Sequence, residues 1–228
     1  MINQSDERQS SAGLIITVTL IFSIGYAILR YHVVGPVPWK DFFFFILNKG
    51  ISLSAFILLA FNFSLSPLKN LGVEIPQNWL NARKMLGLSA FLLVFIHVLM
   101  SLLLFSPVIY EKFFEENETL TLLARVSMLG GILAFIFLWD YSLSFYINSK
   151  EANVFTQSLI SRKSFSLAFI LGMIHLFFLD YKTWITPSGW HGGLPPISLI
   201  AMIFFVSGYT INLLGSSKII GSTEIHRR

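Results

Sequence analysis

Two stretches of the chain, RKMLGLSAFLLVFIH (residues 83–97) and RKSFSLAFILGMIH (residues 162–175), share one layout. Each begins with an Arg-Lys pair, continues through apolar residues and ends in the pattern Ala-Phe-x-Leu-x-x-Ile-His. His97 lies 13 residues beyond Lys84, and His175 lies 12 residues beyond Lys163. If both stretches are membrane helices that start at the same surface, the rise of about 1.5 Å per residue puts the two imidazoles at nearly the same depth. This is the geometry needed to hold one haem iron from both sides.

The composition is that of an integral membrane protein. Of the 228 residues, 54% are hydrophobic and 12% are charged, and the mean hydropathy is +0.70, whereas soluble domains carry about 25% charged residues. One helical domain over residues 1–228 accounts for the length, because a spanning helix needs about 20 apolar residues. No stretch is polar enough to form a separate flavin or nicotinamide domain. The net charge of +4 fits loop charge at a lipid surface, and no nucleic-acid partner is expected.

Cysteine is absent from the sequence, which excludes disulfides, cysteine-ligated iron–sulfur clusters and thiolate chemistry. The polar, mixed-charge N-terminal stretch MINQSDERQSSAG lacks the layout of a signal peptide. The first apolar segment is therefore expected to be retained as a helix.

Six apolar segments follow one another along the chain, each long enough or nearly long enough to cross a bilayer core as a helix. The predicted fold is an all-α membrane protein, a bundle of six transmembrane helices. The segments cover approximately residues 13–29, 50–65, 85–105, 120–146, 164–179 and 196–214. Pro67 follows the second segment and is expected to lie just beyond the end of its helix.

Basic residues are distributed unevenly between the two predicted ends of the bundle. Ten lie in the N-terminal segment, the 2–3 and 4–5 loops and the C-terminus: Arg8, Lys69, Arg83, Lys84, Lys150, Arg162, Lys163, Lys218, Arg227 and Arg228. Six lie on the other side: Arg30, Lys40, Lys49, Lys112, Arg125 and Lys182. Because cytoplasmic loops carry an excess of Lys and Arg, both termini are expected to face the cytoplasm. The acidic loop over residues 111–118 would then face outward.

Two irregular stretches lie on the predicted outer side. Pro36 and Pro38 break any helix after the first segment, and Trp39 with the phenylalanines of residues 42–45 predicts an interfacial segment on the outer surface. The Gly-, Pro- and Trp-rich stretch over residues 180–199 predicts a loop that packs into the interface or over the mouth of the bundle.

The two repeated histidines are the main candidates for a cofactor site. A single histidine in a membrane helix can serve as a hydrogen-bonding link between helices, but ionisable residues at this depth are usually functional. Two at one depth favour bis-imidazole haem ligation, which leaves no open iron site and suits electron transfer. Zinc or non-haem iron would need further ligands. The candidates for making room for a haem are Gly87, Gly130, Gly131 and Gly172.

Four further residues are weaker candidates. Arg125 could pair with a haem propionate, or it could be an interfacial arginine whose charge reaches toward water. Asp140 could pair with the basic residues at the inner end or belong to a quinol or proton site. His191, in the Trp-His-Gly-Gly stretch, could line an outer opening near the haem edge, whereas His32 is expected to be a solvated loop residue.

Several motifs resemble the ferric reductase-like transmembrane domain superfamily. They are ILNKGISLSAF (residues 46–56), ARKMLGLSAFLLVFIHVLMSLL (82–103), KFFEENETL (112–120), SMLGGILAF (127–135), GMIHLFF (172–178) and GGLPPISL (192–199). Within that superfamily the chain is similar to the small haem-binding membrane proteins that serve periplasmic reductases, such as the membrane subunit of the methionine sulfoxide reductase system.

This resemblance implies one b-type haem (haem b), with His97 and His175 as the axial ligands of its iron. Members with two haems carry a second histidine pair, but this chain has Arg162 and Tyr110 at the matching positions, so one haem is expected. The donor would be a quinol or a separate flavoprotein, and the acceptor a periplasmic reductase or ferric iron. A bacterial inner (plasma) membrane fits. A bound flavin or quinone is neither indicated nor excluded by the sequence.

Three alternative functions stay open from the sequence. A ferric (metal) reductase membrane subunit would reduce iron at the outer haem edge. A transport protein would use the two histidines to contact a substrate or ion. A structural subunit would use them only as links between helices. The sequence contains no nucleophile–base pair, phosphate-binding loop or carboxylate pair that would indicate hydrolytic or transfer chemistry.

Overall fold

The fold is given by a computed structural model, which describes residues 4–143 and 162–225 and the side chains of residues 11–143 and 164–217. Its six long elements are all helices: α1 Gln4–Ile28, α2 Leu47–Leu71, α3 Gln77–Leu104, α4 Leu122–Leu143, α5 Arg162–Trp184 and α6 Ile197–Ile225. Over these ranges the only β-type pairing is an isolated bridge between Phe114 and Leu120.

Each of the six helices is long and apolar enough to cross a membrane. The prediction of an all-α, six-helix membrane bundle is therefore confirmed. The last three residues predicted for the fourth segment, 144–146, lie outside the described residues. Several helices extend beyond the predicted apolar cores, because polar residues at a membrane surface can continue a helix that apolar residues begin. The clearest case is α3, which starts at Gln77 rather than at Met85.

One expectation about a helix end is wrong. Pro67 lies inside α2, not beyond it, and the helix continues to Leu71. Proline costs one backbone hydrogen bond within a helix, and packed membrane helices tolerate this loss. The stop is instead at Gly72, whose φ of 96° supplies the left-handed turn that ends many helices.

The aromatic segment before α2 is helical and continuous with that helix. Residues Phe42–Ile46 form a π-helical turn that runs directly into α2, and the apolar span covers Trp39–Leu71. The segment is thus continuous with the second span, and its place at the outer membrane interface stays a prediction. Pro38 is the last proline before α2, so the chain can take up helical turns from Trp39 onward.

The connections α1–α2, α3–α4 and α5–α6 lie at one end of the bundle, here called the distal end. The α5–α6 connection consists of two short 3₁₀ turns, Pro187–Gly189 and His191–Gly193. It is fixed to α1, because the Tyr26 hydroxyl donates to the Pro195 carbonyl at 2.6 Å and Arg30 donates to the Leu194 carbonyl. This loop therefore packs over the end of the bundle, as its composition predicts.

The arrangement of the helices leaves a gap in the bundle. Helix α2 packs against α1, α3 and α6, and α4 packs along α5. Helices α3 and α4 approach each other only lightly, and α3 and α5 make no extensive contact within the described residues. The α4–α5 contact is close because a row of mostly small residues faces α5: Ala124, Ser127, Gly130, Ala134, Leu138 and Ser142 are buried at intervals of three or four positions.

The large apolar side chains mostly face outward, as expected for a protein surrounded by lipid. Leu14, Ile21, Leu103 and Leu129 are all more than half exposed. The interior holds small residues, buried aliphatic side chains such as Leu53 and Leu58, and a group of stacked rings. In this group the Phe169 centroid lies 4.4 Å from that of Phe63 and 4.3 Å from that of Phe205. Close packing here relies on van der Waals contact, because lipid provides no hydrophobic driving force between helices.

Candidate functional site between helices α3 and α5

A cavity of about 210 Å³ occupies the gap between α3, α4 and α5. His97 of α3 and His175 of α5 both line it, so the structure brings the two repeated histidines together at one site. His97 lies seven residues before α3 ends and His175 nine residues before α5 ends. At 1.5 Å per residue both are thus about 10–14 Å from the distal end of their helices.

His97 is held by a buried amide. Its Nδ1 lies 2.6 Å from Oδ1 of Asn48, which is 1% exposed and sits at the start of α2. The Asn48 amide nitrogen donates to Ser101 Oγ at 3.1 Å, which fixes the orientation of the amide. The amide oxygen can only accept, so His97 donates from Nδ1.

His175 is held by the backbone of α4. Its Nδ1 lies 2.9 Å from the carbonyl oxygen of Ser127 and 3.1 Å from the Oγ of the same residue. The hydroxyl donates to the His175 carbonyl at 2.9 Å. Because a carbonyl oxygen can only accept, His175 also donates from Nδ1.

Both imidazoles therefore carry their proton on Nδ1 and keep the lone pair of Nε2. Neither Nε2 has a hydrogen-bond partner among the described residues. This is the pattern of metal-ligating histidines, in which a fixed acceptor bonded to one ring nitrogen sets the tautomer and the ring orientation. Within residues 4–143 and 162–225, no group of three or more His, Asp or Glu side chains comes together as a metal-ion site. An iron held by a porphyrin needs only the two imidazoles.

The cavity walls are mainly apolar. Aromatic and aliphatic side chains from five helices form them, among them Phe56, Val94, Phe135, Leu179 and Phe205. Tyr110 of the α3–α4 connection also lines the cavity, and burial raises the pKa of its phenol above the usual value of 10.0, so the group is uncharged near neutral pH. Such a lining suits a large flat apolar group oriented by a few polar contacts.

Glycine residues of α4 allow this helix to approach His175. A Cβ placed on Gly131 would lie 2.9 Å from Nδ1 and 3.2 Å from Cε1 of the His175 ring. Of the glycines considered from the sequence, Gly131 and Gly172 line the cavity, whereas Gly87 is buried in the bundle. Gly172 also gives room to the Phe205 ring, which would lie 2.7 Å from its Cβ.

Gly131→Ala is expected to lower haem affinity about tenfold, because the added methyl must displace the imidazole of His175 from its bond to Ser127. Haem titration of the purified variant, followed by absorption, measures this change. Gly25→Ala in α1 is the matched control, since its Cβ would have no neighbour within 4 Å. Equal affinities for the two variants would show that the ring position is not critical.

A smaller cavity of about 50 Å³ lies beside the main one and is also lined by both histidines. Its other polar residues include Lys49, Lys112, Asp180 and Ser198. In the sequence the two lysines are interpreted only as loop charges, and no motif identifies Asn48, Ser127 or Asp180 as site residues. The signal that could have identified Asn48 and Lys49 is that they form a polar pair directly before the apolar segment of residues 50–65.

The two weaker ligand candidates are not at the cavity. Arg125 is exposed, and its Nε donates to the Leu120 carbonyl at 2.8 Å, so the structure does not place it beside either histidine. His191 lies in the α5–α6 connection and lines neither cavity. The geometry therefore favours neither as a cofactor-binding residue.

The remaining candidates have local roles or fewer contacts. Nδ1 of His32 is 2.8 Å from the Val37 carbonyl, and its ring packs 4.1 Å from that of Trp39, so it stabilises the α1–α2 turn. Asp140 forms no ion pair with Arg83 in the described part of the chain. Two other basic residues considered as its partners, Arg162 and Lys163, have side chains outside that part.

The comparisons with known proteins give no family. No protein-family model matches the sequence, and no curated protein matches it. The resemblance to the ferric reductase-like superfamily therefore stays a prediction from motifs, and the functional argument depends on the geometry of the site.

Proposed function

We propose that this chain is an integral membrane electron-transfer protein that holds one b-type haem between α3 and α5. The observation that carries the proposal is the pair of imidazoles lining one cavity. Each has Nδ1 bonded to a fixed acceptor and Nε2 without a hydrogen-bond partner among the described residues. His97 and His175 would be the axial ligands. The apolar walls would exclude water from the bound group.

A structural role for the two histidines is less consistent with this geometry. A histidine that only links helices would be expected to bond through both nitrogens, since an unpaired polar atom is costly in a membrane. Here Nδ1 of each ring is bonded, Nε2 has no hydrogen-bond partner within the described part of the chain, and both residues line a cavity. That arrangement supports a ligand between the rings. A transport function for this site has no specific observation in its favour.

A b-type haem with two imidazole ligands supplies a one-electron iron centre that does not exchange ligands. The residues of the chain would keep such a centre rigid. Asn48 and Ser127 hold the rings in place, which reduces the rearrangement that accompanies each change of charge. The chain would thus serve as an electron-transfer subunit of an oxidoreductase system.

The route of the electron follows from the position of the histidines. Both lie nearer the distal end than the other end of their helices. The uneven distribution of basic residues supports placing the termini in the cytoplasm and the distal end outside. The donor would be a quinol or a separate flavoprotein, and the acceptor an outer-face protein such as a periplasmic reductase in a bacterial inner membrane. Ferric iron at the same face is the alternative acceptor, favoured by the nearness of the smaller cavity to the distal connections.

Absorption spectra of the purified chain, oxidised and dithionite-reduced, test the proposal. We expect the spectrum of a low-spin b-type haem after expression with ample haem. A well-folded chain that takes up no haem under these conditions would contradict the proposal and favour a transport or structural function.

A further inference from the structure

The smaller cavity carries an excess of positive charge next to the two histidines. Its charged lining residues are Lys49 of α2, Lys112 of the α3–α4 connection and Asp180 of α5. Lys112 Nζ lies 2.9 Å from Asp180 Oδ1. Asp180 also accepts bonds from the Thr183 and Ser198 hydroxyls, each at 2.7 Å. The carboxylate of Asp180 is thus fully engaged by its neighbours.

Lys49 is the cation of this group that has no acidic partner in the part of the chain that the structure describes. Its half-buried side chain lines both cavities, and no carboxylate pairs with it within the described residues. Its Nζ lies 5.5 Å from the ring centre of Phe45 and 5.7 Å from that of Tyr110. The aromatic faces attract the ammonium only weakly compared with an anion.

A charged residue inside a membrane span is usually paired or functional. Lys49 lies within the span Trp39–Leu71, follows the histidine-binding Asn48 directly and borders the same cavity as both imidazoles. An anionic group held between the imidazoles could reach the ammonium and neutralise it. The observations therefore specify a carboxylate or other anion at this end of the cavity.

We propose that Lys49 binds a propionate carboxylate of the porphyrin, so that the propionate edge of the macrocycle faces the distal end. This inference rests on the proposed haem function. It assigns to Lys49 the role that the sequence suggested for Arg125. Lys112 and Asp180 also line the smaller cavity, and their charges neutralise each other. The charge of Lys49 is therefore left for the bound carboxylate.

The test combines a change in the protein with a change in the ligand. The purified apoprotein is titrated in detergent with mesohaem and with mesohaem dimethyl ester, whose carboxylates are blocked. For the parent chain, the ester is expected to bind about tenfold more weakly than the free acid, the value of one charge-assisted hydrogen bond. In Lys49→Gln, the free acid is expected to weaken by about tenfold and the ester to bind as it does to the parent.

The inference requires that the Lys49→Gln substitution and the blocking of the porphyrin carboxylates weaken binding through the same contact. Lys49→Arg is expected to restore most of the preference for the free acid, and Lys40→Gln, at an exposed lysine of the turn Trp39–Asp41, is the control that should change nothing. Parent-like affinity for the ester also shows that Lys49→Gln is folded.

Two results would overturn the inference while leaving the haem proposal intact. The first is an equal ester penalty in the parent and in Lys49→Gln, which would place the propionate contact elsewhere. The second is equal binding of acid and ester by the parent, as expected if an anionic lipid headgroup occupies Lys49. Failure of the parent to bind either porphyrin would instead remove the proposed function, and the inference with it.

Discussion

His97→Ala and His175→Ala are each expected to abolish the low-spin haem spectrum. Either change removes one of the two nitrogen atoms proposed to ligate the iron and leaves a gap in the cavity wall. Since loss of a residue that only hydrogen-bonds a ligating histidine typically costs about 10- to 100-fold in metal affinity, loss of a ligand is expected to cost more than about 100-fold. Absorption and haem-affinity measurements on the purified variants should show either no haem or a high-spin species.

His191→Ala provides the control for this experiment, because it removes an imidazole from the same protein without touching either cavity. Its spectrum should match that of the parent. Far-UV circular dichroism should show equal helix content in all three variants. A low-spin spectrum that persists in either cavity variant would mean that the iron is ligated elsewhere.

Asn48→Leu is expected to lower haem affinity by about 10- to 100-fold, the second-largest effect. Leucine has the same branched arrangement of side-chain heavy atoms as asparagine but provides no oxygen to accept the bond from His97 Nδ1, which lies 2.6 Å from Asn48 Oδ1. The imidazole would lose its preferred tautomer and its fixed orientation. Haem titration and the midpoint potential measure the two consequences, weaker binding and an altered balance between oxidised and reduced forms.

The same helix offers a matched control. Asn62 is also buried in α2, but its Oδ1 has no partner among the described residues and it lines neither cavity. Asn62→Leu removes an unsatisfied polar atom, so it should leave haem binding unchanged and stability equal or higher. If both asparagine variants bind haem alike, Asn48 does not support a ligand.

The sequence contained enough to predict the bundle and the pairing of the two histidines. Apolar length identifies a membrane helix with no knowledge of its neighbours. The repeated Arg-Lys to His spacing predicts matched positions along two helices, and the structure places His97 and His175 on one cavity. These features depend only on distance along a helix axis.

The direction in which a side chain points around its helix axis was not predictable in the same way. Arg125 and Ser127 are two positions apart on α4, which corresponds to about 200° around the helix. Ser127 faces His175, so Arg125 must face away from the cavity. The sequence shows which face of a helix is directed toward the cavity only when one contact of that helix is already known.

The partners of the imidazoles were not predictable because they come from other helices. Asn48 is 49 positions from His97, and Ser127 is 48 positions from His175. Their pairing depends on how α2 packs on α3 and how α4 packs on α5. The histidine-bearing repeats contain no trace of either contact.

The two imidazoles differ in how readily evolution can alter their surroundings. His97 depends on a side chain, so one codon change at Asn48 can replace its acceptor, and an aspartate there would make the imidazole a stronger electron donor. His175 depends on a main-chain carbonyl, which every substitution at Ser127 retains. If the site holds the proposed haem, a substitution at position 48 would change its redox potential, whereas the main-chain acceptor of His175 would stay the same. The acceptor of His97 would then be the variable part of the site, and the acceptor of His175 its constant part.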